Sequence, residues 1–178
     1  MYQQVLNFWF EEIEPKQWWV KDADFDRLIK ERFLTVYDRA CRCELFPWRT
    51  APEGRLAEII ALDQFPRNIF RDTPQAFATD PLALALAQEA VARGDDTKLP
   101  QRRRNFLYMP YMHSESLEIH QVAMDIFKQN GSESALEYEI KHKEIIEKFG
   151  RYPHRNRILG RDSTPEELEF LQSPGSSF

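Results

Sequence analysis

"FDRLIKERFLTVYDRA", residues 25–40, sets Phe25, Leu28, Ile29, Phe33, Val36, Tyr37 and Ala40 on one stripe of period 3.6. Asp22 and Asp24 stand just before it, with short carboxylates suited to cap the first free backbone N–H groups. The pattern is that of an amphipathic helix with one face on a core, and it sets the terms for the rest of the chain.

The same periodicity extends in both directions. Toward the N-terminus, Val5, Leu6, Trp9 and Phe10 cluster on a short aromatic helix from Gln3 to Glu11, followed by a turn in "PKQWWVKDADFD". Past the break "FPWRTAPEG", a third helix carries Leu56, Ile59, Ile60 and Leu62. It must stop near Gln64, because Pro66 disfavours helical geometry at Phe65. After the loop "DTPQAFATDP", Asp80 is placed to cap and Pro81 to take the first position of an alanine-leucine helix that ends at Gly94. The helix from Gln101 should be kinked or ended by Pro110. Ser114 or Ser116 opens the next, with Leu117, Val122, Met124, Ile126 and Phe127, closing at Gly131. Ser132 opens another, with Leu136, Ile140, Ile145, Ile146 and Phe149, closed by Gly150. "RYPHRNRILGRD" reads as a polar-basic loop, and Thr164, Pro165 and Glu167 as a capping box.

No segment alternates with period two. The expectation is an all-α fold of seven to eight helices, whose short connections make sequential helices antiparallel neighbours. Residues 1–172 are expected to form a single helical domain and residues 173–178 a frayed tail.

Composition narrows the class. Only 6 glycines in 178 residues favour long helices over a turn-rich β fold. A net charge of −5 argues against a dedicated nucleic-acid binder. No run approaches the length of a membrane span, and "MYQQVLNFWFEE" lacks the basic region and cleavage site of a secretory signal. Cys41 and Cys43 point about 200° apart on a helix and cannot bridge each other, so a reduced, cytoplasmic protein is expected. A lone C-x-C is a poor metal signal, and G-x-x-x-x-G-K-[ST], G-x-G-x-x-G, G-x-S-x-G and H-E-x-x-H are all missing. Neither a metal nor a cofactor is expected.

Chemistry concentrates at helix exits. "LDQFPRNIF", residues 62–70, packs Asp63, Gln64, Arg67 and Asn68 among apolar side chains. "RYPHRN", residues 151–156, echoes it with Arg151, His154, Arg155 and Asn156: an aromatic, a proline, then Arg-Asn. Structurally, Arg67 and Arg155 would tie down the carbonyls left free at helix ends, and Asp63 would pair with one of them. As a binding site, the two guanidinium forks suit carboxylate or phosphate. A third cluster, "RRRNFLYMPYMHSES", offers one inward arginine, Arg104, and a helix start with His113 and Glu115, where Glu115 is placed to orient His113 as an acid/base pair. His113, His120, His142 and His154 sit on different segments that can converge, although His142 in "IKHKE" reads as solvated. The basic run from Lys148 to Arg161, joined with Arg102 to Arg104, would make a positive groove. The aromatics, however, lie at core-facing positions and do not form a stacking platform for a nucleic acid. "FWF" and Trp18–Trp19 read as core or interface residues; an aromatic patch left exposed would suit a partner, including a second copy in a homodimer.

"LDQFPRNIFRDTPQAFATDPLAL", "FLYMPYMHSES", "FGRYPHRNRILGRDSTPEELEFL" and the N-terminal "VLNFWF" together closely resemble the bacterial family catalogued as domain of unknown function 924. The resemblance spans nearly the whole chain. It implies a tetratricopeptide-like α-α superhelix and brings no biochemical activity with it.

Three functions follow as expectations. The first is a ligand-binding protein whose groove is lined by Asp63, Gln64, Arg67, Asn68, Arg104, His113, Glu115, Arg151, His154, Arg155 and Asn156, taking a peptide terminus or small anionic molecule. The second is a hydrolase-like enzyme with His113 and Glu115, or His154, as acid/base. The third is a scaffold in which these polar clusters are closed structural pairs.

Overall fold

The computed structural model describes residues 1–176. Among them the regular structure is helical: α1 Tyr2–Asn7, α2 Ala23–Cys41, α3 Pro52–Asp63, α4 Phe65–Ile69, α5 Asp80–Ala92, α6 Gln101–Met112, α7 Leu117–Asn130, α8 Glu133–Phe149 and α9 Pro165–Phe170. The all-α reading holds. The helices pack in pairs, chiefly α2 with α4, α3 with α5, α6 with α7 and α7 with α8.

α3 is the helix around which the others assemble. Every residue from Gly54 to Asp63 is buried, so it needs apolar side chains on all faces. "LAEIIAL" supplies them, with α1, α2, α5 and α6 as neighbours. The one charge inside that run, Glu58, is wholly enclosed. Arg49 neutralises it through two bonds, Nε to Oε2 and Nη2 to Oε1, each 2.7 Å. A buried carboxylate without such a fork would carry a large desolvation cost.

The period-3.6 stripe of α2 is narrower than its sequence reads. Phe25, Ile29, Phe33, Tyr37 and Ala40 are buried, while Leu28 faces solvent. Asp22 is the cap, accepting from the N–H of Asp24 and Phe25. The N-terminal helix continues through a π turn, Phe8–Glu12, which turns Phe8, Trp9 and Phe10 inward against Phe25, Phe33, Phe65 and Phe106. Trp19 and Phe46 remain 65% exposed.

The exit of α3 is a joint between two helices, where a loop is expected. Pro66 cannot donate to the Leu62 carbonyl, so α3 ends at Asp63 and α4 begins at once with Pro66 in its first turn. Side chains take the freed carbonyls: Thr79 Oγ1 donates to Leu62 O (2.6 Å), and Arg67 Nη1 donates to Asp63 O. The extra short helix α4 is why the structure shows one more helix than the sequence pattern.

Pro110 neither ends nor visibly limits α6, which runs on to Met112. Its last turn is held from outside: Tyr152 Oη donates to Met112 O (2.5 Å) and Arg155 Nη2 to His113 O (3.1 Å). Gly131 and Gly150 take the left-handed caps of α7 and α8 as their positions predict.

α8 corrects one expectation. Ile140 is exposed, whereas His142 is buried. The inner face of α8 follows Glu139, His142, Ile146 and Phe149, because the two polar members find partners on α7 and in the C-terminal loop. In the tail, Ser176 Oγ donates to Leu171 O (3.2 Å); residues 177 and 178, also placed in the expected frayed tail, lie outside the described residues.

Gly54 lets α3 approach the preceding turn. A Cβ there would sit 2.0 Å from the Trp48 carbonyl oxygen. Gly54→Ala is expected to lose about 1–3 kcal/mol despite alanine's better helix propensity, read as a lower urea midpoint.

Candidate functional site

Asp80 is the hub where three segments meet. It occupies the first turn of α5, but its carboxylate does not serve as the cap expected from sequence. Thr79 takes the N-cap position. Asp80 instead receives Arg67 in a fork, Nη1 to Oδ1 at 2.9 Å and Nη2 to Oδ2 at 3.0 Å, and Arg155 Nη1 to Oδ2 at 3.3 Å. The exit of α3 and the loop after α8, related in sequence only by an aromatic-proline-Arg-Asn echo, therefore converge on one carboxylate. Phe77 completes the hub: Arg155 lies 4.6 Å and Arg67 5.8 Å from its ring centre. Arg155 also lies 4.7 Å from the centre of the Tyr152 ring. The guanidinium is thus in cation–π contact with two aromatic rings.

Beside the hub, Asp63 and His113 form a buried pair, with Oδ1 to Nδ1 at 2.7 Å. Gln64 Nε2 donates to the other Asp63 oxygen (2.5 Å), and Arg67 Nη1 lies 3.4 Å from Oδ1. Burial alone would raise the Asp63 carboxyl. The charge available on His113 and the Arg67 guanidinium outweigh it and hold Asp63 at about 2. His113 is pushed the other way: burial and the nearby Arg67 disfavour its cation more than Asp63 favours it. Near neutral pH the pair is a carboxylate and a neutral imidazole. Its Nδ1–H must then donate to Asp63, which leaves Nε2 as an acceptor.

The third wall is the segment between α8 and α9. Glu115 does not orient His113. Arg161 takes it in a fork (Nη1–Oε2 2.6 Å, Nη2–Oε1 2.9 Å), and it also accepts from the Tyr152 N–H (2.7 Å). The orienter of His113 is Asp63, fifty residues earlier, where no local spacing would reveal it.

Between these walls lies a cavity of about 380 Å³. Its polar lining is Asp80, His113, Ser114, Glu115 and Arg155. Phe77, Leu84, Leu159 and three prolines, Pro74, Pro81 and Pro110, supply most of the apolar remainder. The formal charges around it balance: Asp63, Asp80 and Glu115 against Arg67, Arg155 and Arg161.

Of the residues the sequence nominates, Asp63, Gln64, Arg67, His113, Glu115 and Arg155 converge here. Four do not. Asn68 turns away to Asp26 (2.8 Å), which Arg71 also binds. Arg104 lies nine residues before His113 on the same helix, hence on its opposite side. Arg151 binds Glu167 (Nε–Oε1 2.7 Å), and Asn156 bridges Ser163, Glu167 and Arg161. These last two stitch the C-terminal loop to the capping box of α9. Nor do Arg102 and Arg103 join the C-terminal basic run; they lie over Phe10 and Trp18. Sequence reading missed Asp80, Phe77, Tyr152 and Arg161. Asp80 was visible only as a cap, and a carboxylate beside Pro81 serves either role.

Three of the four histidines gather around Tyr152. The rings of His154, His142 and His120 lie 5.5, 5.7 and 6.4 Å from its ring, while His113 pairs with Asp63. His120 is enclosed: Nδ1 meets Glu139 Oε1 at 2.6 Å, and Nε2 donates to Ser114 O at 2.9 Å. Burial raises the Glu139 carboxyl. Among the described residues no group of three or more His, Cys, Asp or Glu side chains could hold a metal ion. Cys41 and Cys43 are exposed and unbridged.

Two measurements test this network. Arg67→Ala would leave Asp63 and Asp80 short of charge. With 21% of its side chain accessible, the expected loss is about 2–3 kcal/mol in chemical denaturation. Burial holds His142 at about 3 and His154 at about 4, against 6.5 when unfolded. Unfolding therefore takes up protons below pH 6.5, so the stability of their neutral forms is complete above that pH and falls as the pH drops toward 4. His142→Gln is expected to flatten that acid-side slope by about 1.4 kcal/mol per pH unit.

The chain matches, over residues 5–175, the family described as bacterial protein of unknown function (DUF924). The structure of a protein of unknown function, ATU0120 from Agrobacterium tumefaciens, is similar at 40% identity and a TM-score of 0.91, with 96% of each chain covered. No curated protein matches. On the residues of the family match and on this shared fold, the chain belongs to DUF924.

Proposed function

We propose that this protein binds a small molecule with an apolar body and a polar or anionic head in the cavity between Phe77, Leu84, His113, Arg155 and Leu159. One observation carries the reading. Arg155 and His113, from segments forty-two residues apart, are each immobilised by their own partners and line the same cavity. The volume of about 380 Å³ stands at the low end of ligand sites, which run from roughly 300 to 1,000 Å³. That favours a small molecule over an extended peptide. The closed ion pairs behind the site, Asp63 with Arg67 and Arg67 with Asp80, supply rigidity, so the scaffold and ligand readings of these residues are compatible. The helix pairs are read as a tetratricopeptide-like superhelix forming one domain, and the exposed, unbridged thiols fit a reducing cytoplasm.

A thermal-shift screen of small metabolites tests the proposal. A true ligand at a hundredfold its Kd stabilises by about 2.7 kcal/mol, or roughly 5–10 °C for a domain of this size. Leu84→Trp, which fills the cavity from α5, should abolish the shift and leave the fold intact. A shift that survives in Leu84→Trp places the ligand elsewhere and refutes the site.

A further inference from the structure

We infer that the cavity takes a monocarboxylate with an apolar tail, and that one proton from solvent enters with it, shared between the ligand's carboxyl group and His113 Nε2. This rests on the reading of the cavity as a ligand site and specifies its chemistry.

The pattern of hydrogen bonds identifies the head group. Arg67 and Arg161 have spent their forks on Asp80 and Glu115. Arg155 has not. Only one nitrogen meets Asp80, at 3.3 Å, and one meets the His113 carbonyl, while its Nε is buried with no partner among the described residues. The residue itself is only 6% exposed. Each Nη of Arg155 carries two hydrogens and uses one, so the guanidinium has donors to spare in a lining it shares with His113, whose Nε2 accepts. A carboxylic acid fits that pair, its carbonyl oxygen taking the Arg155 N–H and its hydroxyl donating to His113. A carboxylate facing a protonated His113 is the same complex with the proton moved.

Charge explains why the proton must come too. The three carboxylates and three guanidiniums around the cavity already cancel. A bare anion would add an uncompensated charge to a half-open, mostly apolar cavity, which is costly where its head group leaves water. The ionisable groups that face His113 are Asp63 from α3, Arg67 from α4, Asp80 from α5, Glu115 on its own segment, His142 from α8, and Tyr152, His154 and Arg155 from the C-terminal loop. The carboxylates among them are held by arginines or by His113 itself, and His142 and His154 stay neutral well below neutral pH. His113 alone is placed to take the proton when an anion arrives. Phe77, Leu84 and Leu159 then cover a hydrocarbon tail.

Isothermal titration calorimetry of the whole protein tests this, with hexanoate and phenylacetate as probes and hexanamide and phenylacetamide as their uncharged counterparts. In buffers of different ionisation enthalpy, each carboxylate should take up one proton. Its Kd should rise about tenfold per pH unit above neutrality, while the amides stay flat. His113→Gln should lose both the uptake and the slope. Should that variant fail to fold with Asp63 left unpaired, the wild-type proton count alone is decisive. Carboxylates that bind without proton uptake, or more weakly than the amides, overturn the inference and leave the cavity reading standing. If neither series binds at millimolar concentration, both readings fall.

Discussion

A single carboxylate, Asp80, joins the exit of α3 to the loop after α8. Arg67 reaches it from the exit of α3 and Arg155 from the loop after α8, and Phe77 lies against both guanidiniums. Each arginine also closes a helix end, Arg67 on the Asp63 carbonyl and Arg155 on the His113 carbonyl. One ion triad thereby positions α3, α4, α5 and α6. The cavity exists because these helix ends stop short of one another and are bridged by long side chains.

The same economy recurs deeper in the structure. Glu58 in the enclosed α3 is tied by Arg49, Glu139 in α8 by His120, and Glu115 by Arg161. Each of these acids has a partner from another segment. Burial makes an unpaired charge far more costly than a paired one, so every such pair acts as a constraint on how the helices may be assembled. His142 and His154, beside Tyr152, follow the opposite rule. Burial keeps them neutral, so they pack as polar aromatics and give the fold its sensitivity to acid.

Much of this was legible beforehand. Asp22 caps α2, Gly131 and Gly150 close α7 and α8, and Thr164 with Glu167 forms the capping box of α9, because caps are written in adjacent residues. Asp63, Gln64, Arg67, His113, Glu115 and Arg155, which the sequence sets beside apolar helix ends, lie close together in the fold. What misled was pairing by proximity in sequence. Glu115 stands two residues from His113 yet belongs to Arg161, while Asp63 stands fifty away and orients the imidazole. His142 sits in a charged run yet turns inward, because Tyr152 and the Tyr138 carbonyl offer it a polar pocket.

The sequence by itself determined the helices, their caps and their all-α class, since these follow from local spacing and from backbone groups that only near neighbours can satisfy. It also determined which segments carry the chemistry. Tertiary structure decided the partners: Asp80 became a hub and not a cap, Asn68 and Asn156 became stitches, Arg104 turned aside, and His113 paired with Asp63 at the cavity wall. The physical reason is that a long charged side chain is satisfied by whatever opposite charge the packed helices bring within reach, and that distance is set by the fold as a whole.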